Sequence, residues 1–210
     1  MSELFVSAFV TLFVIIDPPG CAPIFAGLVS GARPAQARSM AIRAVAIAAT
    51  ILVFFALFGE RLLGALHIEL NSFRIAGGIM LFLIALEMVF EKRTRRREER
   101  VEKIKAQHAD TPEVEDVSVF PMAMPMLAGP GSIATVMLLM SRVEGTSGTL
   151  VVLGALASVM TLSLAALLAA GPIMRLMGAQ FEAVITRLLG VLLAALAAQY
   201  VMDGLKEVFN

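Results

Sequence analysis

The chain has one cysteine, Cys21, among its 210 residues. A lone thiol excludes an intramolecular disulfide and any Cys-x-x-Cys metal or redox pair. The two histidines, His67 and His108, belong to no His-Glu-x-x-His run, so that zinc-hydrolase motif is missing. There is also no Gly-x-x-x-x-Gly-Lys loop, which argues against built-in ATP hydrolysis. Charge is scarce: Asp, Glu, Lys and Arg make up 16% of the chain, against about a quarter in a soluble domain. The start, Met1-Ser2-Glu3-Leu4, carries no basic n-region, and no small-residue cleavage site follows the first apolar run. An uncleaved first membrane span is therefore expected rather than a signal peptide.

Apolar sequence fills the space. Hydrophobic residues make up 59% of the chain, and the mean hydropathy is +0.86. Six candidate spans follow, at 4–28, 41–63, 73–90, 117–140, 150–170 and 184–201. Each is long enough as a helix to cross about 30 Å of hydrocarbon. Nearly half of the charged residues sit in 91–116, eight Lys/Arg and eight Asp/Glu. That linker divides the chain into a first three-span part, 1–90, and a second, 117–210. Small residues four apart, as in Ala165/Ala169 and Ala194/Ala198, are expected to let helices approach closely.

Two spans are interrupted near their middle by Pro/Gly motifs. The first reads Asp17-Pro18-Pro19-Gly20-Cys21-Ala22-Pro23, the second Ala128-Gly129-Pro130-Gly131-Ser132-Ile133-Ala134. Aligning Pro19-Gly20 with Pro130-Gly131 sets Cys21 opposite Ser132 and Asp17 opposite Ala128. A helix cannot pass Pro-Pro-Gly without losing backbone hydrogen bonds, and lipid tolerates that only where protein or a water-filled cavity covers the freed groups. A second correspondence lies in the third spans, where Arg74-Ile75-Ala76-Gly77 matches Arg187-Leu188-Leu189-Gly190. A repeat of three spans must insert upside down relative to the first. The expected fold is an all-α integral membrane protein: six transmembrane helices as two inverted three-helix repeats, with the first and fourth broken. Paired breaks of this kind point to a transporter's binding site.

Charge orients the spans. With the N-terminus outside, 13 of the 17 Lys/Arg lie on inside loops: Arg33, Arg38, Arg43, the eight of the linker, Arg175 and Arg187. Arg61, Arg74, Arg142 and Lys206 remain outside, as the positive-inside rule asks. Both termini are then outside and the linker is cytoplasmic. Two re-entrant loops in place of the broken spans would give the same tally; the length of those segments favours full crossing.

Asp17 is the one carboxylate near the centre of a candidate span. Intramembrane acids are costly and mark ion or proton sites by default. The plain alternative is a cap for the half-helix after the break. Pro19, Gly20 and Cys21 at the first break, and Gly129, Gly131, Ser132 and Thr135 at the second, are the expected substrate or ion contacts. Half-helix N-termini offer free N–H groups and a positive dipole end, and the facing ends offer carbonyls. A zwitterion needs both. Cys21 is either a reactive thiol or, more simply, an inert small residue. Arg74 and Arg187, which open spans, are read as snorkelling to the interface. The run from Lys92 to Arg100 is read as a solvated extension that fixes topology, with anionic lipid headgroups as the alternative occupant.

Together these strings resemble the MarC family of bacterial inner-membrane proteins, also called the UPF0056 or neutral amino acid transporter family. The likeness rests on Asp17-Pro18-Pro19-Gly20 through Phe25, Arg74-Ile75-Ala76-Gly77-Gly78, Pro125 through Ser132, and Arg187-Leu188-Leu189-Gly190 before Asp203-Gly204. Cys21 stands where the family pattern has Asn after the first Pro-x-Gly. The resemblance implies membrane transport, with neutral amino acids as a substrate class; drug efflux does not follow from it. The expectation is an inner-membrane secondary transporter or exporter of a small neutral metabolite. It would use no cofactor and no metal, with coupling to H⁺ or Na⁺ through Asp17. Its expected partners are the substrate and the lipid bilayer, with a homo-oligomer left open and nucleic acid excluded by the acids interleaved among the linker bases. The alternatives are a non-transporting structural or assembly protein and a membrane thiol enzyme, the latter short of a second thiol.

Overall fold

The structure is a computed structural model, and it describes residues 1–90, 116–170 and 179–209. The charged linker up to residue 115, His108 and Arg175 lie outside the described residues. Those that are described form helices and turns, with no strand among them. In order they are α1 (Ser2–Ile16), α2 (Pro18–Leu28), α3 (Pro34–Ala65), α4 (Leu70–Val89), an irregular Ser118–Leu127 segment, α5 (Pro130–Met140), α6 (Gly145–Leu168) and α7 (Ala179–Phe209).

Five helical stretches are long and apolar enough to cross a membrane: Ser2–Leu28, Pro34–Ala65, Leu70–Val89, Gly145–Leu168 and Arg187–Glu207. The Ser118–Leu127 segment and α5 meet at 50° and supply a sixth if they are one span. The outward side chains match this reading. Phe54, Leu57, Phe58, Leu83, Leu150, Leu188 and Leu192 are all exposed. An apolar surface this continuous is sustained by lipid rather than water.

Local chemistry sets the helix ends. Pro34 opens α3 at a position where its missing N–H is no loss, and the Gln36 side chain accepts from the Arg33 backbone N–H at 3.1 Å. That start lengthens the helix beyond the candidate span at 41–63. At the other end His67 takes a left-handed φ of 57° and turns the chain.

The main packing runs between the two parts of the chain. The first span lies on α6, α3 lies on the Ser118–Leu127 segment and α5, and α4 lies along α7. The main core joins Leu12, Ile16 and Phe25 of the first span to Leu52, Leu127, Val136 and Leu156. A second cluster joins Leu81, Ala85 and Met88 of α4 to Leu193, Ala197 and Tyr200 of α7.

The α4–α7 contact is close because its crossing points lack side chains. A Cβ on Gly78 would lie 2.9 Å from the Ala197 carbonyl oxygen, and one on Gly190 3.1 Å from that of Ala85. One on Gly204 would lie 3.1 Å from that of Asn71. Ala198 and Ala165, two of the alanines expected to mediate packing, are exposed instead. Their register on the helix turns them outward, and the glycines carry the close approach.

Candidate functional site: the two Pro/Gly breaks

At the first break the chain leaves helical geometry for one residue. Asp17 sits at φ 57°, ψ 62°, between α1 and α2. Proline disfavours an α conformation in the residue before it, and Asp is among the few residues that visit the left-handed region readily. Helical hydrogen bonding brackets the kink: the Asp17 N–H donates to Phe13 O at 2.9 Å, and the Cys21 N–H donates to Asp17 O at 3.0 Å. Pro18 and Pro19 then occupy the first positions of α2, where no N–H is needed.

The Asp17 carboxylate, 3% exposed, accepts from the Gly20 N–H at 3.1 Å. Gly20 makes this seat available, because a Cβ there would overlap the carboxylate. Cys21 is fully buried, and its thiol donates to the Ile16 carbonyl at 3.4 Å. That carbonyl lies at the end of α1, so the thiol helps satisfy an acceptor beside the break.

The second break is longer than its sequence motif. Phe120 and Met124 are extended, at φ −126°, ψ 127° and φ −123°, ψ 127°. Each precedes a proline, Pro121 or Pro125, and the pre-proline restriction explains both. The irregular path therefore begins a full segment before the Ala128–Ala134 motif. It ends at Gly129, extended at φ −73°, ψ 171°, after which Pro130 starts α5. Gly129 cannot carry a side chain, since a Cβ would overlap the Pro125 carbonyl oxygen. Inside α5 the Thr135 hydroxyl donates to Gly131 O at 2.7 Å, and Ser132 is 3% exposed.

The two breaks differ at their helix starts. Asp17 caps α2 with its side chain, whereas α5 has no side-chain cap. Ala128, the counterpart of Asp17, is buried and offers no acceptor side chain. The breaks are also neighbours in space: a Cβ on Gly131 would fall 3.8 Å from Ile15 Cγ2 and 2.6 Å from Ile84 Cδ1. Ile15 lies two residues before Asp17.

A groove of about 550 Å³ runs beside the second break. Ala128, Pro130, Ile133 and Ala134 line it together with Phe73 and Met80 of α4. None of the eight residues singled out in the sequence lines it; their immediate neighbours do. The sequence carried no sign of Phe73 or Met80, because an apolar wall has no polar signature. Asp17, Gly20 and Cys21 are buried in the packed interior and Pro19 is half-buried.

Ion pairs gather at one end of the bundle. Arg74 is buried rather than snorkelling: its guanidinium donates to Glu207 at 2.7 Å and to Ser141 O at 3.1 Å. Arg142 pairs with Asp203 at 2.5 Å and lies 4.0 Å above the Tyr200 ring. These contacts tie the ends of α4 and α7 to the turn after α5. No group of three or more His, Cys, Asp or Glu suited to a metal occurs among the described residues.

Helices of membrane length, an outward apolar surface and buried breaks define an integral membrane protein of several helical spans. Over residues 2–209 the sequence matches the model described as "MarC family integral membrane protein", and the chain belongs to that family. Curated relatives agree. The chain is similar to the UPF0056 membrane protein YvbG of Bacillus subtilis, at 33% identity covering 100% of this chain and 97% of the relative. It is similar to the UPF0056 inner membrane protein YhgN of Escherichia coli K12, at 32% identity covering 98% of each. A UPF0056 membrane protein of Archaeoglobus fulgidus is 34% identical over 98% of this chain and 93% of its own length. No solved structure matches the chain.

Proposed function

We propose that the chain is an inner-membrane secondary transporter or exporter of a small neutral metabolite, with neutral amino acids as the substrate class. The observation that carries this reading is the meeting of two Pro/Gly breaks in one core beside a cavity. Interrupted helices in a membrane persist where protein or a cavity covers the freed backbone groups, and transporters place their sites there.

The helix pairing supports two inverted three-helix repeats. Exchange the halves, and the first span on α6 becomes the 118–140 span on α3, while α4 against α7 maps onto itself. All three pairings occur. Six full spans, both termini outside and a cytoplasmic linker follow from this reading and from the loop charges.

The roles of the two breaks differ. The start of α5, with no side-chain cap and beside the groove, would receive the carboxylate of a zwitterion at its positive dipole end. Ser132, Gly129, Gly131 and Thr135 shape that end. The first break, with Asp17, Pro19, Gly20 and Cys21, would carry coupling to H⁺ or Na⁺, and no other cofactor is invoked. Uptake and counterflow of labelled neutral amino acids in proteoliposomes, with and without proton or sodium gradients, test the reading. Absence of both flux and exchange across the panel would overturn it.

One observation favours a second reading for Asp17. Its carboxylate already accepts from the Gly20 N–H, as a cap does. In a non-transporting structural protein that cap would be its whole role.

A further inference from the structure

A second pocket, of about 280 Å³, lies where α3, α5 and α6 come together. Its lining includes both signs of charge and two hydroxyls: Glu60, Arg61, Ser141 and Thr149. Both side chains are exposed, and neither makes a hydrogen bond or ion pair with the side chain of another described residue. One side chain lines both this pocket and the groove at the second break, and it is Met137.

Met137 is 7% exposed and lies across α3 at Gly59. A Cβ on Gly59 would meet its Cγ at 2.7 Å and its Cε at 2.8 Å. The glycine therefore leaves a slot on α3 that the thioether fills. Methionine is unbranched, with three rotatable bonds, and swings more readily than Leu or Ile.

We propose that the polar pocket is an access site for a small zwitterion, and that Met137 is the gate between it and the groove at the second break. Glu60 would face the ammonium and Arg61 the carboxylate. Rotation of Met137 out of the Gly59 slot joins the two spaces into one path. The ligand class rests on the transport reading above; the gate rests on the shared wall.

The test uses single-cysteine proteins in a Cys21→Ser background and a small membrane-impermeant thiosulfonate, applied to each side of the membrane in turn. Thr149→Cys reports the pocket and identifies its side; Ala134→Cys reports the groove. With Met137 present, Ala134→Cys should label slowly from that side. Met137→Ala should speed its labelling about tenfold or more, as removal of a gate does, while Met137→Leu, close in volume, should not. Where Met137→Ala fails to fold, Gly59→Ala displaces the same thioether from the α3 side and should also speed labelling. Unchanged rates in both variants would overturn the gate.

For the ligand, alanine should slow labelling of Thr149→Cys, and acetate or ethylammonium, with one charge each, should not. Protection by the single charges equal to that by alanine, or no protection by alanine, would overturn the zwitterion assignment. Faster labelling, with no uptake of any amino acid by the protein that retains Cys21, would sink the transport reading and leave the gate standing. Uptake with unchanged labelling would do the reverse.

Discussion

Asp17 does two things with one side chain: it tolerates the left-handed turn, and it caps α2 through Gly20. Asn shares both abilities. Asp17→Asn should therefore keep the thermal stability of the wild type, whereas Asp17→Ala should lose about 1 kcal/mol, read from denaturation in detergent. The transport reading adds a sharper expectation. Asp17→Asn should abolish concentrative uptake while sparing counterflow, because coupling needs a group whose charge a cation or proton can occupy. Wild-type concentrative uptake by that variant would leave Asp17 a cap alone. Gly20→Ala should be worse than Asp17→Asn for stability, since the new Cβ displaces the carboxylate from its seat and leaves it buried without its donor.

Among the elements, α4 and α7 are the most tightly joined, and glycine is the reason. Gly78→Val should lower stability by about 1–3 kcal/mol through overpacking, because its Cβ meets the α7 backbone at Ala197 O and Val201 N as well as the short, branched Val201 side chain. Gly64→Ala in α3 is the contrasting case, with nothing within 4 Å of the added Cβ. It should be neutral or stabilising by about 0.5–1 kcal/mol, as for a helical Gly replaced by Ala. Thermal transitions of the two purified variants in one detergent separate the effects. Arg74 binds these helices at one end through Glu207 and Ser141. A lysine there would have the charge but not the fork that reaches both partners, so the sequence reading of a snorkelling arginine understated what it holds.

For the whole molecule, the arrangement of partners is the main result. Each span of the first part packs chiefly against the second, so neither part would bury its inner face alone. Coexpressed as separate pieces cut within the linker, the two should associate; expressed singly, either should be degraded. Co-purification of tagged halves checks this. A reporter fused after Asn210 checks orientation, with activity expected only outside. Activity only in the cytoplasm would favour re-entrant segments over full spans.

The sequence by itself determined the membrane class, the family and the places of five long apolar helices, with a sixth if the bent 118–140 pair is one span. Hydropathy is a sum over neighbours in the chain, and a proline breaks a helix wherever it stands, so both signals are local. The turn at Asp17 and the start of α5 at Pro130 were legible for that reason. The irregular run at Phe120 and Met124 was written in Pro121 and Pro125 too, because each proline restricts the residue before it. Only the tertiary structure decided which helices meet, that Ala197 rather than Ala198 faces α4, and that the groove lies beside Ala128 and Pro130 instead of Asp17. Those outcomes depend on packing between residues far apart in the chain. An apolar side chain looks the same in sequence whether it faces lipid, a partner helix or a cavity.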